Sequence, residues 1–170
     1  EESMKRLEEN REEMITKLTS DINEHETQII EYKTNIRADM SNVSTCMNLI
    51  KDEDAVRASL QTMLSDEKDF ENERRKFIKE LKFYEDNDAC PTCKQDIEAD
   101  HKDHICTERS INIKELDQRL TTHSETIQRI NERLEEINEV HKEIAESQKM
   151  IQQEQNLIDT NEKYINKLQL

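Results

Sequence analysis

Two cysteines that flank a proline and a threonine, Cys90-Pro91-Thr92-Cys93, are the residues of this chain whose type and spacing best suit chemistry. Thiolates at the two ends of such a tight turn lie on one side of it, close enough to bind the same tetrahedral metal ion. A structural zinc site needs four ligands, and this pair supplies half of them. The motif therefore predicts a zinc half-site that other residues must complete.

The two missing ligands come either from a second chain or from His104 and Cys106, which follow Cys93 in the sequence. A one-chain zinc knuckle of Cys90, Cys93, His104 and Cys106 would need a chain reversal, and the chain contains no glycine to make one. We therefore favour a zinc ion shared by two chains, one ion per two chains, with Cys90 and Cys93 of each chain as its ligands. A redox-active pair and a pair of inert thiols are the remaining alternatives.

The composition predicts that long helices position this motif. Of 170 residues, 38% are charged and 4% are aromatic, there is no glycine, and the single proline lies between the two cysteines. Such a chain has few places to turn and little bulk for a thick core, which suits helices with a narrow apolar seam. Disorder is the competing explanation of this polarity, and the periodicity of the apolar residues argues against it.

Apolar residues recur at alternating steps of three and four, the spacing of a coiled-coil seam. In the second half of the chain the predicted seam runs from Ile113 to Ile165. Its positions form two alternating sets, and isoleucine occupies most positions of one set. Eleven of the seam's sixteen positions are apolar, and the polar ones are His123, His141, Gln148, Gln155 and Glu162. In the first half one frame holds from Ile15 to Ile50 and includes His25, Asp39 and Cys46, and a second frame holds from Val56 to Tyr84.

These patterns predict an all-α fold, a long antiparallel coiled-coil hairpin with the Cys-x-x-Cys turn at its apex. We expect an ascending arm over residues 1–86, an apex over 87–100 and a descending arm over 101–170. The change of frame predicts a bend or a short non-helical interruption near residues 39–55. We expect Asp100 to cap the returning helix, Cys46 to be a small buried hydrophobe, and the seam histidines to fix register rather than bind metal.

The remaining features exclude several classes of function. The net charge is −15, and no run of lysine and arginine forms the basic stripe that binding to the phosphate backbone requires, so we expect no direct nucleic-acid binding by this segment. No apolar run is long enough to cross a membrane, and no signal peptide is present. No glycine-rich phosphate loop or nucleophile elbow occurs, so we expect no enzymatic activity from it. Unpaired thiols without secretory features are typical of the cytoplasm.

The motif Cys90-Pro91-Thr92-Cys93, followed by Ile97 and His101 and lying between two heptad arms, resembles the zinc hook of the SbcC-type, SMC-like ATPases. The acidic, glycine-free setting is most similar to the T-even bacteriophage branch of that family. Many members carry glycine where Lys94 stands. The match is strong over only about fifteen residues around the motif, and the arms match in character alone.

The resemblance implies a role in DNA double-strand-break repair and recombination, as part of the ATPase subunit of an exonuclease complex. It implies a homodimer joined at the apex through one zinc, with Cys90 and Cys93 as ligands and Ile97, Tyr84 and Phe83 as apolar contacts. An Mre-eleven-type nuclease and DNA would bind regions outside this segment. The location would be the cytoplasm, of a host bacterium if the protein is phage-encoded.

Overall fold

The computed structural model describes residues 1–169, which form three α-helices. Helix α1 spans Glu2–Leu49, α2 spans Glu53–Asp86 and α3 spans Ala99–Gln169. No β-strand forms within residues 1–169. An isolated antiparallel β-bridge joins Ala89 and Asp96 in the loop between α2 and α3. The all-α fold class is therefore confirmed. None of the helices in these residues is long and apolar enough to cross a membrane.

The chain divides into two compact units. The first unit contains residues 1–51 and the residues from 138 onward, and the second contains residues 52–137. Helix α3 contributes its C-terminal part to the first unit and its N-terminal part to the second. Each unit is a pair of helices, because a chain without glycine has no means of making a compact fold with many turns.

In the first unit, α1 runs antiparallel to the C-terminal part of α3. Hydrogen bonds join the two helices, and the residue number on α3 rises as the residue number on α1 falls. The joined pairs are Asn42 with Ser147, Asn35 with Glu154, and His25 with Asn161. In the last pair the His25 Nδ1–H donates to the Asn161 amide oxygen.

The core of the first unit alternates apolar and polar layers. Ile29, Ile158 and Ile165 form a buried apolar cluster, against which partly buried residues of α1 pack. Between the isoleucines of α3, at intervals of seven residues, lie three buried polar side chains: Ser147, Glu154 and Asn161. Each of the three accepts or donates one of the hydrogen bonds to α1, as buried polar groups require.

This arrangement corrects the predicted seam of α3. The isoleucine positions are as predicted, but the polar set lies one residue earlier. Ser147, Glu154 and Asn161 are buried, whereas Gln148, Gln155 and Glu162, which the sequence pattern placed in the seam, are exposed, as is His141. The cause is the set of partners on α1, since Asn42, Asn35 and His25 can hydrogen-bond only one of the two neighbouring polar rows.

In the second unit, α2 runs antiparallel to the N-terminal part of α3. Arg74 donates to Asp117 at 2.6 Å, and Arg109 of α3 is paired with Glu80 of α2. The same Arg109 guanidinium lies 5.1 Å from the centre of the Phe77 ring. The core of this unit is thin: α2 contains no fully buried residue, and its apolar side chains are partly buried against α3.

Helix α1 ends at Leu49 and α2 begins at Glu53, so the helix is interrupted at residues 50–52. This break lies inside the range 39–55 in which the change of seam frame predicts one. Within the second unit, Arg133 of α3 donates to both carboxylate oxygens of Asp52, at 3.1 and 2.9 Å. These hydrogen bonds hold the pKa of Asp52 below its usual value, and they fix the N-terminal end of α2 to α3.

Candidate metal centre

The loop that carries the cysteine pair begins where α2 ends at Asp86. Asn87 leaves the helix with extended backbone angles, and its side-chain amide donates to the Phe83 carbonyl at 2.7 Å. This bond satisfies one of the carbonyl groups that a helix C-terminus leaves unpaired. Pro91 then excludes continuation of the helix. The end of α2 is therefore fixed before the two cysteines are reached.

Short backbone pairing closes the loop around the motif. The Ile97 N–H donates to the Asp88 carbonyl and the Cys90 N–H donates to the Gln95 carbonyl, both at 2.8 Å. Inside these two bonds, the Lys94 N–H donates to the Cys90 carbonyl at 2.9 Å, which folds residues 90–94 into a single tight turn. The loop is thus closed by backbone hydrogen bonds, with the cysteine pair at its tip.

Lys94 has a backbone φ of 61°, the left-handed region that glycine adopts without penalty. Among residues 1–169, Lys94 is the only residue with a positive φ. The turn therefore has the backbone conformation that glycine would favour at this position, although the side chain here is lysine. The turn forms with lysine at this position, and the Cβ of Lys94 carries the steric cost.

The turn lowers the pKa of the Cys90 thiol. The largest cause is the Cys93 backbone N–H, followed by the Thr92 N–H, and the Cys93 side chain contributes a further hydrogen bond. Partial burial acts in the opposite direction and is outweighed. Donors aimed at sulfur favour the thiolate, which is the form that binds metal. The Cys93 thiol is exposed and lies 3.7 Å from the side-chain oxygen of Gln95.

The candidate third and fourth ligands are not assembled beside this pair. His104 and Cys106 both lie on α3. The His104 side chain is 75% exposed and lies 3.7 Å from Glu108, while Cys106 is partly buried. Within residues 1–169 no three histidine, cysteine, aspartate or glutamate side chains are grouped so that they could hold a metal ion. The donor set fits half of a tetrahedral zinc site, with two sulfur ligands per chain.

An ion pair that the sequence pattern did not predict ties the loop to α3. Lys102 donates to the Asp88 carboxylate at 2.8 Å, which lowers the pKa of Asp88 and raises that of Lys102. The two residues are 14 apart in sequence, so no helical spacing links them. Asp100 is not the cap of α3, because the helix already begins at Ala99 and places Asp100 in its first turn. There its carboxylate lies at the positive end of the helix dipole.

The other residues singled out from the sequence lie near the end of α2, in the loop or in the first unit. Tyr84 is T-shaped against Phe83, with ring centres 5.2 Å apart, and lies 6.0 Å from the His101 ring. Ile97 is partly buried and Phe83 is 38% exposed. Cys46 is buried in the first unit, and burial raises the pKa of its thiol, with Glu143 adding to the effect. Its placement agrees with the role of a small core residue.

Comparison with known proteins returned no match: no family model, no curated protein and no solved structure is similar to this chain.

Proposed function

We propose that this segment is a zinc-dependent dimerisation module in which two chains share one zinc ion at the apex. The observation that carries the proposal is the loop of residues 87–98, where one turn presents two neighbouring thiols with no third ligand grouped beside them in residues 1–169. A bound zinc would supply a strong cross-link that keeps four thiolates together. Two loops are needed to provide those four.

The residues of the loop prepare the thiols for this role. Backbone N–H groups of Thr92 and Cys93 point at the Cys90 sulfur and favour its thiolate before any metal arrives. The ion pair of Asp88 with Lys102 and the capping bond of Asn87 hold the loop on α2 and α3. A ligand pair that is already in place loses less conformational freedom when it binds.

The helices would act as spacers that set the reach of the module. We propose that the antiparallel helix pairs of the two units are parts of a coiled-coil hairpin with the loop at its turn. The seam residues with heptad spacing support this proposal. Following the resemblance to the zinc hook of the SbcC-type ATPases, the module would link DNA-bound ATPase heads in double-strand-break repair and recombination, inside the cytoplasm of the cell that contains it.

The stoichiometry of bound zinc tests the shared site. We expect about 0.5 zinc per chain, because the four ligands come from two chains. Sedimentation should show a dimer with zinc and a monomer with chelator. The double variant Cys90→Ser/Cys93→Ser should stay monomeric in both conditions, whereas Cys46→Ala, which removes a thiol of the first unit, should dimerise as the original chain does.

Two results would contradict the shared site. A Cys90→Ser/Cys93→Ser chain that dimerises as tightly as the original would show that the helices alone hold the two copies together. One zinc per chain, lost on substitution of His104 or Cys106, would indicate a closed one-chain knuckle instead.

A further inference from the structure

Helix α2 presents a row of basic side chains on the side away from α3. All five are exposed. At about 100° of rotation per helical residue they fall within an arc of about 120°. We call this set the basic face; its members are Lys68, Arg75, Lys76, Lys79 and Lys82.

Two acidic residues of the same stretch form ion pairs with arginines. Glu80 is paired with Arg109 of α3, and Glu71 lies at the edge of the arc, 4.0 Å from Arg75. Within residues 1–169 that weak contact is the one ion pair made by the basic face. By contrast Arg74, which is turned toward α3, is bound by Asp117 at 2.6 Å. The four lysines of the basic face make no ion pair within residues 1–169, although the exposed Asp69 lies beside the arc and Asp86 lies on it one turn after Lys82.

We propose that the basic face binds the phosphate backbone of duplex DNA. The first and last of its cations are 14 residues apart, about 21 Å along the helix, which corresponds to about six base-pair steps of 3.4 Å. A polyanion of this length gains free energy by releasing condensed counterions when lysines replace them. The helix would lie against the duplex without reading its sequence, since contacts to phosphates carry no base information.

An acidic protein surface fits the basic face less well. The arc contains no apolar seam, so a partner helix would gain only exposed ion pairs, each worth about 0–1 kcal/mol. Single-stranded nucleic acid also fits less well, because its binding depends on aromatic side chains that stack on bases. Phe83 at one end is the aromatic residue of the arc, and it is 38% exposed. Charge without stacking or apolar contact favours a duplex backbone.

The acidic remainder of the chain limits the affinity without preventing binding. Charges separated by more than about 8 Å are largely screened at physiological ionic strength, so the local positive face acts at contact distance. We expect dissociation constants typical of non-specific binding, about 1–100 µM. The proposal departs from the expectation of no direct nucleic-acid binding, because the cations are separated by other residues in the sequence and are brought to one side by the helix.

Fluorescence anisotropy of a labelled 30-base-pair duplex of random sequence tests the proposal on the full chain, with chelator present so that the zinc site has no influence. Binding at 50 mM salt should weaken steeply as salt rises, with a slope of log affinity against log salt of about −4.5 for five phosphate contacts. The variant Lys76→Gln/Lys79→Gln/Lys82→Gln should bind at least about tenfold more weakly, with a slope reduced to about −2.

The matched control is Lys33→Gln/Lys149→Gln/Lys163→Gln, which changes the net charge equally at exposed lysines of the first unit. It should bind the duplex nearly as the original chain does. The proposal is overturned if both triple variants lose the same affinity, or if the original chain shows no salt-dependent binding at 50 mM. It is also overturned if the α2 variant keeps its DNA affinity but alters self-association at low salt, which would assign the basic face to an acidic protein surface.

Discussion

Lys94 adopts a left-handed backbone conformation directly after the second cysteine, and its φ of 61° is strained for a residue with a Cβ. We therefore predict that Lys94→Gly stabilises the chain. The left-handed conformation costs about 1–2 kcal/mol for an ordinary residue, and the added flexibility of glycine in the unfolded chain offsets about 0.5–1 kcal/mol of the relief. The free energy of unfolding, measured by urea denaturation, should rise by about 0.5–1 kcal/mol.

Lys94→Ala is the matched control for this prediction. It removes the same charge but keeps a Cβ, so the steric cost remains and no comparable gain is expected. Equal stabilisation by both variants would show that the charge of Lys94, rather than its backbone conformation, is unfavourable.

Asp52 gives a prediction about acid stability. Hydrogen bonds from Arg133 lower the pKa of Asp52 below its usual value of 3.8. A carboxyl whose folded pKa is lowered stabilises the fold above its unfolded pKa, and this contribution is lost as pH falls through the folded value. Asp52→Asn should therefore lower the thermal midpoint at pH 7, and the difference from the original chain should disappear in acid.

Circular dichroism melts from pH 7 down to pH 2 would follow this loss. The control Asp54→Asn removes a carboxylate from the first turn of α2, two residues after Asp52, and within residues 1–169 Asp54 makes no ion pair to α3. A pH-dependent loss of the same size in both variants would mean that the helix dipole, not Arg133, is the source of the effect.

The cysteine pair could be predicted from sequence because proline and two thiols at fixed spacing define a local turn. The contact between Asp88 and Lys102 could not, since it depends on where α3 starts and how it leaves the loop. The position of Asp100 illustrates the same limit: a helix that begins one residue earlier turns an expected cap into a first-turn residue.

At the scale of the helices, the buried isoleucines should carry much of the stability of the first unit. Ile158 is 2% exposed and packs in one cluster with Ile29 and Ile165. Replacing it by alanine removes buried methyl groups and leaves a cavity, at a cost of about 2–5 kcal/mol. The free energy of unfolding should fall by that amount, measured by urea denaturation. Leu157→Ala, at the neighbouring 44% exposed position, should change it by no more than about 0.5 kcal/mol.

The polar layer of Asn35 and Glu154 gives a second prediction at this scale. The Asn35 amide donates to one oxygen of the buried Glu154 carboxylate at 2.9 Å, and the other oxygen has no partner. Asn35→Leu should cost about 1–3 kcal/mol, because it leaves the buried carboxylate without its donor. The double variant Asn35→Leu/Glu154→Leu should be more stable than Asn35→Leu alone, since both polar groups are gone.

A double-mutant cycle with Glu154→Leu completes this test. If the two single costs simply add in the double variant, then the amide and the carboxylate do not stabilise each other in solution.

The same layer shows why the seam of α3 could be predicted only in part. Apolar spacing identified the isoleucine row, because burial of those side chains dominates. The second row is polar on both candidate registers, so spacing alone could not choose between Glu154 and Gln155. The choice follows from Asn35 on the partner helix, more than a hundred positions earlier in the chain.

At the scale of the whole molecule, the net charge of −15 should oppose the proposed dimer. Each loop of residues 87–98 carries three acidic residues and one lysine, and four thiolates around one Zn²⁺ add a net negative charge. Salt shortens the range of this repulsion, to about 3 Å at 1 M. The zinc-dependent dimer should therefore dissociate less readily as salt is raised from 50 to 500 mM, measured by sedimentation equilibrium. Weaker association at high salt would point to attraction between oppositely charged surfaces.

The break at residues 50–52 has a mechanical consequence for the proposed tether. Helix α3 is continuous and can lengthen under load only by breaking its own hydrogen bonds, whereas the turn at residues 50–52 separates α1 from α2 on the other side. Drawn from helical to extended geometry, three residues yield about 5 Å. In the proposed tether α3 would therefore be stiff, and the turn between α1 and α2 would extend by a few ångströms, with loss of the Asp52–Arg133 contact, before a helix unwinds.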